Sequence, residues 1–183
     1  MLSIDSNVPV GRYAFFKKEL SQATTLVFSG DYDLFPEEFN STKPMYRIDI
    51  EGRSLELFQY GSSSMRSILA GSYEGLTKSK ALISGINGLS TVKRPGLLSS
   101  GWTVVYMNDR YKWELPAMSN ALTLTDADNS VIAKFIMRAI RQARLGALYL
   151  YKNVDQEFLA IIMLTCKMVH ATIPQSDSTF LTS

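Results

Sequence analysis

Enzymatic chemistry needs a nucleophile, a base, a metal-ligand set or a phosphate-cradling loop, and each can be sought directly among the 183 residues. The chain carries one histidine and one cysteine, too few for a structural zinc site. His170 and Cys166 both lie in an apolar run. There a lone histidine reads as a helix-end or satisfied core group, and a lone cysteine as a small buried hydrophobe. Nucleophile elbow, Walker loop and dinucleotide fingerprint are all absent from the sequence. Gly61-Ser62-Ser63-Ser64 lacks the lysine and spacing of a phosphate loop and reads as a turn. Asp126, Asp128 and Asn129 begin like a calcium loop but lack its glycine and terminal glutamate, so a hairpin turn is expected. Glu37 and Glu38 are adjacent and would point to different sides, and without burial they would have no reason to act as acid and base, so a solvated loop is expected. No catalytic residue, metal or cofactor is therefore expected.

The basic residues form the constellation with a functional lean. Net charge is only +2, which argues against a general nucleic-acid binder. The distribution is uneven. Gly75 to Asn108 contains no acid but holds Lys78, Lys80, Lys93 and Arg94; Ser130 to Val154 contains none but holds Lys134, Arg138, Arg141, Arg144 and Lys152. Compensating carboxylates sit elsewhere, notably Asp31, Asp33, Glu37 and Glu38. If the two basic stretches are neighbours in space, they make one positive face. The candidate lipid-headgroup residues are Lys78, Lys80, Lys93, Arg94, Lys134, Arg138, Arg141 and Arg144, because each charge near an anionic surface contributes about 1 kcal/mol. A solvated polar face is the competing reading. Trp102, Tyr111 and Trp113 fall in consecutive candidate strands, where core packing is the first reading and a ligand-stacking platform the second.

The elements that must position these residues are mostly strands. Short runs bounded by turn residues dominate residues 23–151, the pattern of an all-β barrel or sandwich. Candidate strands are 23–28, 45–50, 54–60, 65–73, 80–84, 90–93, 102–107, 110–114, 121–125, 131–137 and 147–151. Glu51-Gly52 and Asn108-Asp109 read as hairpin turns. Arg12 to Gln22 fits a short helix or an extra edge strand, and Ser29 to Lys43 an acidic loop. Val131 to Leu145 has apolar residues at helical spacing, yet its first half is β-branched and aromatic; strand followed by a basic turn is the preferred reading.

Asp155 to Ile173 is the clearest element. Its apolar residues cover nearly every side of a helix, Asn153 and Gln156 have capping-box spacing, and Pro174 stops it. A helix apolar all round is buried on all sides or lies in a membrane. This run is shorter than the roughly 20 residues needed to span a bilayer, and Lys167 and His170 interrupt it. Burial is expected. Met1 to Val10 has no signal-peptide pattern and the cysteine is single, so an intracellular setting, cytoplasmic or peripheral to a membrane, is expected, with the Asn40-Ser41-Thr42 sequon unused.

Strands around an apolar C-terminal helix resemble the tubby-like fold. The resemblance rests on Pro44-Met45-Tyr46-Arg47-Ile48, Trp102 leading into Arg110-Tyr111-Lys112-Trp113-Glu114, Val131-Ile132-Ala133-Lys134-Phe135, Ala147-Leu148-Tyr149-Leu150 and the Phe158 to Thr165 run. These segments span roughly residues 44–173 and are similar to small fungal proteins of that superfamily, which also includes tubby, the phospholipid scramblases and the plant LURP-one-related proteins. The resemblance implies a closed barrel around the helix, with lipid or phosphoinositide contact in some members. Scramblase calcium-binding and cysteine-rich signals are not matched.

The expectation is a mainly β chain: a closed or nearly closed antiparallel barrel of strands 23–151 around a buried helix 155–173. Residues 1–43 are read as an N-terminal extension packing on the barrel and 174–183 as a polar tail. The expected function is reversible binding of anionic phospholipid headgroups without enzymatic activity. The alternatives are a protein-interaction or scaffold domain, using the acidic loop or the barrel rim, and a carrier of a small apolar ligand.

Overall fold

The structure is a computed structural model describing residues 8–18, 23–30, 42–96, 101–138 and 143–173. Its strands are β1 (Gly11–Lys17), β2 (Thr24–Ser29), β3 (Tyr46–Glu51), β4 (Ser54–Tyr60), β5 (Met65–Glu74), β6 (Lys80–Gly85), β7 (Gly88–Lys93), β8 (Trp102–Tyr106), β9 (Asp109–Glu114), β10 (Ala121–Thr125), β11 (Val131–Met137) and β12 (Arg144–Leu150). Each pairs antiparallel with its sequence neighbours, and β1 pairs with β12 to close the barrel. Closure removes the exposed edges that an open sheet would present.

One helix, α1 (Gln156–Thr172), follows β12. Every residue from Phe158 to Val169 is buried, which for a helix requires packing on all sides. The sheet supplies it: the helix side chains form one core with inward residues such as Ile48, Leu57, Ile83, Val104, Trp113, Leu122 and Phe135. Alternation along the strands follows from this, because a residue facing the helix is apolar and its neighbours face outward.

Three expectations are corrected. Gly11–Lys17 is a barrel strand with two hydrogen-bonded neighbours, neither an edge nor part of an extension packed on the barrel. Its interior face carries Phe15, while Ala14 and Phe16 form a second apolar cluster with Phe28, so both of its faces are apolar. The helix N-cap is Asp155 rather than Asn153; the Asp155 carboxylate accepts the Phe158 N–H at 2.8 Å. The β8–β9 turn sits one residue earlier than expected. Tyr106 pairs with Asp109, and Met107 (φ 48°) with Asn108 (φ 70°) makes the two-residue loop, the left-handed pair of a type I′ turn. The ambiguous stretch resolves as strand over Val131–Met137; residues 139–142 of the expected basic turn lie outside the described residues, as do 1–7, 31–41 and 174–183.

Strand direction also sorts the connections. β12 delivers the chain to the N-terminal end of α1, so connections after even-numbered strands lie at that end and those after odd-numbered strands lie at the helix C-terminal end.

Candidate anion-binding groove

Register builds a basic wall on the outside of β6 to β9. Ala81, Ile83, Val92, Val104 and Trp113 face the helix and are buried, so the residues between them face out. Lys80 is directly opposite Lys93, Lys93 opposite Thr103, and Thr103 opposite Lys112. Two residues along, Thr91 faces Val105 and Val105 faces Arg110. Between these rows lies a groove of about 380 Å³ lined by Lys80, Thr91, Lys93, Pro95, Thr103, Val105 and Arg110.

Like charges directly opposite across a ladder destabilise a sheet. Some of the charge is answered locally, since Lys80 pairs with Glu74 at 2.6 Å and Lys112 with Glu114 at 2.5 Å. Lys93 and Arg110 are exposed and have no ion pair among the described residues. The groove therefore offers two uncommitted cations, a half-committed third and two threonine hydroxyls. That donor set suits an oxyanion, with arginine able to take two oxygens at once.

Seven of the eight sequence candidates lie among the described residues, on or beside β6, β7, β11 and β12. Lys80 and Lys93 line the groove. Lys78 and Arg94 lie at its helix C-terminal end: the Lys78 ammonium sits 5.6 Å from the Tyr73 ring centre, and the Arg94 backbone N–H donates to the Ser79 carbonyl at 2.8 Å. Lys134 on β11 and Arg138 just after it are separated from β9 of the groove wall by β10 alone, and Arg144 begins β12, one strand further on. Lys134 lies 5.5 Å from the Tyr151 ring centre, Arg138 is exposed, and Arg144 is only 6% exposed, so its side chain is not available to a surface ligand. Arg141 lies outside the described residues. Between the strands of the two acid-free stretches lie β9, with exposed Arg110 and Lys112, and β10.

Arg110 and Lys112 are not legible as part of a basic stretch, because Asp109 and Glu114 flank them in sequence. The available signal was alternation, with Tyr111 and Trp113 facing in and Arg110 and Lys112 facing out. Two apolar tips are likewise not legible in the sequence. Leu76, in the β5–β6 connection, is 94% exposed, and Met118, in the β9–β10 connection, is 108% exposed. Both connections follow odd-numbered strands, so the tips bracket the basic wall at the helix C-terminal end.

At the other end of the barrel Asp155, Glu157 and Asp126 have carboxylates committed to structure. Asp155 caps α1 and also accepts the Tyr106 hydroxyl at 3.3 Å. Glu157 accepts the Asn87 N–H on both oxygens, at 3.1 and 3.0 Å. Gly85 leaves room for that contact, because a Cβ there would lie 2.4 Å from a Glu157 carboxylate oxygen. Asp126 accepts the backbone N–H of Asp128 and Ser130 and the Lys152 ammonium, and these bonds hold its carboxyl below the ordinary value. The Asp126 to Ser130 segment is thus a hydrogen-bonded hairpin turn. Burial pushes the Cys166 thiol well up, away from the reactive thiolate.

No protein-family model matches the chain, and no curated protein matches it. Among solved structures it is similar to the X-ray structure of the protein AT5G01750 of Arabidopsis thaliana, at 12% sequence identity, 92% coverage of this chain, 98% coverage of that chain and a TM-score of 0.57. At that identity the likeness is one of fold, and it extends over nearly the whole length of both chains.

Proposed function

We propose that this chain is a tubby-like domain that docks reversibly on anionic phospholipid surfaces inside the cell, without catalysing a reaction. One observation carries the reading: a basic groove holding opposed Lys80 and Lys93 is bracketed by the exposed apolar tips Leu76 and Met118 at one end of the barrel. Cations near an anionic surface contribute about 1 kcal/mol each, and an apolar side chain leaving water adds about 1.5 to 3 kcal/mol. Sums of this size give binding that salt reverses. Among the described residues no helix is long and apolar enough to cross a membrane, so attachment through surface residues is the mode that this reading requires.

The position that a carrier would keep for its ligand is occupied by α1, whose central residues are all buried. The scaffold alternative rested partly on Asp31 to Glu38, which lie outside the described residues.

Co-sedimentation with vesicles tests the proposal. Binding to vesicles containing phosphatidylserine or phosphoinositide, absent with neutral phosphatidylcholine and lost in Lys80→Glu/Lys93→Glu, is expected. Equal and negligible sedimentation with both vesicle types overturns it.

A further inference from the structure

A second set of polar groups lies inside the barrel, at the helix C-terminal end and apart from the groove. Lys17 and Thr25 are register partners near the ends of β1 and β2. Both face the interior by alternation, since Phe15 and Val27, two residues away in each strand, belong to the core around α1. Facing them on α1 are Lys167 and His170, three residues apart and on one side of the helix. The His170 ring packs edge-on against Phe135 at 5.6 Å, and Phe135 packs on Phe15, two residues before Lys17, at 5.1 Å; in keeping with this the Lys17 charge bears on both Lys167 and His170.

These groups lack the partners that buried polar atoms normally have. Lys167 is only 7% exposed and has neither a hydrogen bond nor an ion pair among the described residues. The Thr25 hydroxyl and His170 Nδ1 are sealed from solvent with no hydrogen-bond partner among the described residues. A buried cation without a counter-charge among the described residues and two hydrogen-bonding atoms without partners there each cost stability. Among the described residues no carboxylate contributes to the electrostatic surroundings of Lys167 or His170.

We propose that this interior cluster is a binding site for a small oxyanion, held by the Lys167 ammonium, the Thr25 hydroxyl and the His170 imidazole, with Lys17 at its entrance. An oxyanion supplies the acceptors that the site lacks and the negative charge that Lys167 lacks. The C-terminal dipole of α1 opposes an anion within its last turn, where His170 lies, so the negative charge is answered at Lys167, more than a turn before Thr172. Burial, followed by repulsion from the neighbouring lysines, holds His170 below its ordinary value, and burial does the same to Lys167; a bound anion reverses both effects.

The site is independent of the outer groove, and the test separates the two. His170 is the only histidine in the chain, so its ring resonances are unambiguous in the ¹⁵N-labelled full-length protein. Inorganic phosphate and acetate are titrated separately against sodium chloride at matched ionic strength. A saturable His170 shift is expected with at least one oxyanion and not with chloride, at least tenfold weaker in Lys167→Met and in Thr25→Val, and unchanged in Lys80→Glu/Lys93→Glu. The Trp113 indole resonance reports whether each variant keeps the barrel. Should Lys167→Met fail to fold, Thr25→Val decides. Absence of a shift with both oxyanions, an equal shift with chloride, or undiminished affinity in the folded variants overturns the proposal.

Discussion

The Trp113 indole N–H, on the barrel wall, donates to the Thr165 hydroxyl, on the helix, at 2.9 Å in a fully buried setting. Thr165 in turn donates back along α1, with the Ile161 carbonyl at 2.8 Å. This contact fixes the rotation of an otherwise apolar helix, because sliding or turning α1 would leave a buried indole N–H without an acceptor. Replacing Thr165 by valine keeps the volume and removes the acceptor, and is expected to cost about 1 to 3 kcal/mol. Urea unfolding of Thr165→Val, Trp113→Phe and the double variant checks this. The double variant should be less destabilised than the sum of the singles.

The helix N-terminus gives a second test. Asp155→Ala removes the cap on Phe158 and one partner of the Tyr106 hydroxyl, for an expected loss of about 0.5 to 2 kcal/mol. Gly85→Ala drives a Cβ against Glu157 and the Leu69 side chain. It should loosen the β6–β7 turn, seen as faster amide exchange at Asn87, whose N–H the Glu157 carboxylate holds.

His170 sets a pH dependence. Burial pushes it down to about 4 from 6.5, so between those values the unfolded chain binds the proton more readily than the folded one. Stability is then complete above about pH 6.5 and falls as the pH drops towards 4, by on the order of 2 to 3 kcal/mol. Denaturant midpoints across that window should show the decline, and His170→Gln should flatten its contribution.

The groove carries a conflict between stability and binding. Lys93→Gln relieves the like-charge pairing with Lys80 and is expected to stabilise the fold by about 0.2 to 1 kcal/mol at low salt. The gain should shrink as salt rises, while vesicle binding weakens. A destabilised Lys93→Gln protein would show that the lysine has a structural partner instead.

Strands were legible in the sequence where turn residues bounded them and one face was apolar. β1 was not, because Phe15 faces the core while Ala14 and Phe16 are buried on the other face, which erases the period-two signal. The helix was legible because nearly every side of it is apolar, but its cap was misplaced: Asn153 and Asp155 are both acceptable caps, and only the hydrogen bond to Phe158 separates them. For the site, composition identified lysines but not their neighbours. Lys80 and Lys93 are thirteen residues apart in sequence and become opposite partners through the β6–β7 hairpin. The Lys134 stretch, chemically similar, is carried by strand order onto β11, two strands along the barrel from Arg110 on β9.

The orientation of the domain on a membrane is the most direct measurement of the whole account. Cys166 is fully buried, so an environment-sensitive fluorophore can be attached selectively to Leu76→Cys, Met118→Cys or, at the opposite end of the barrel, Ile86→Cys. With anionic vesicles, labels at positions 76 and 118 should shift to the blue while the label at 86 stays in water, and neutral vesicles should move none of them. A blue shift at position 86 with positions 76 and 118 unchanged would contradict the account.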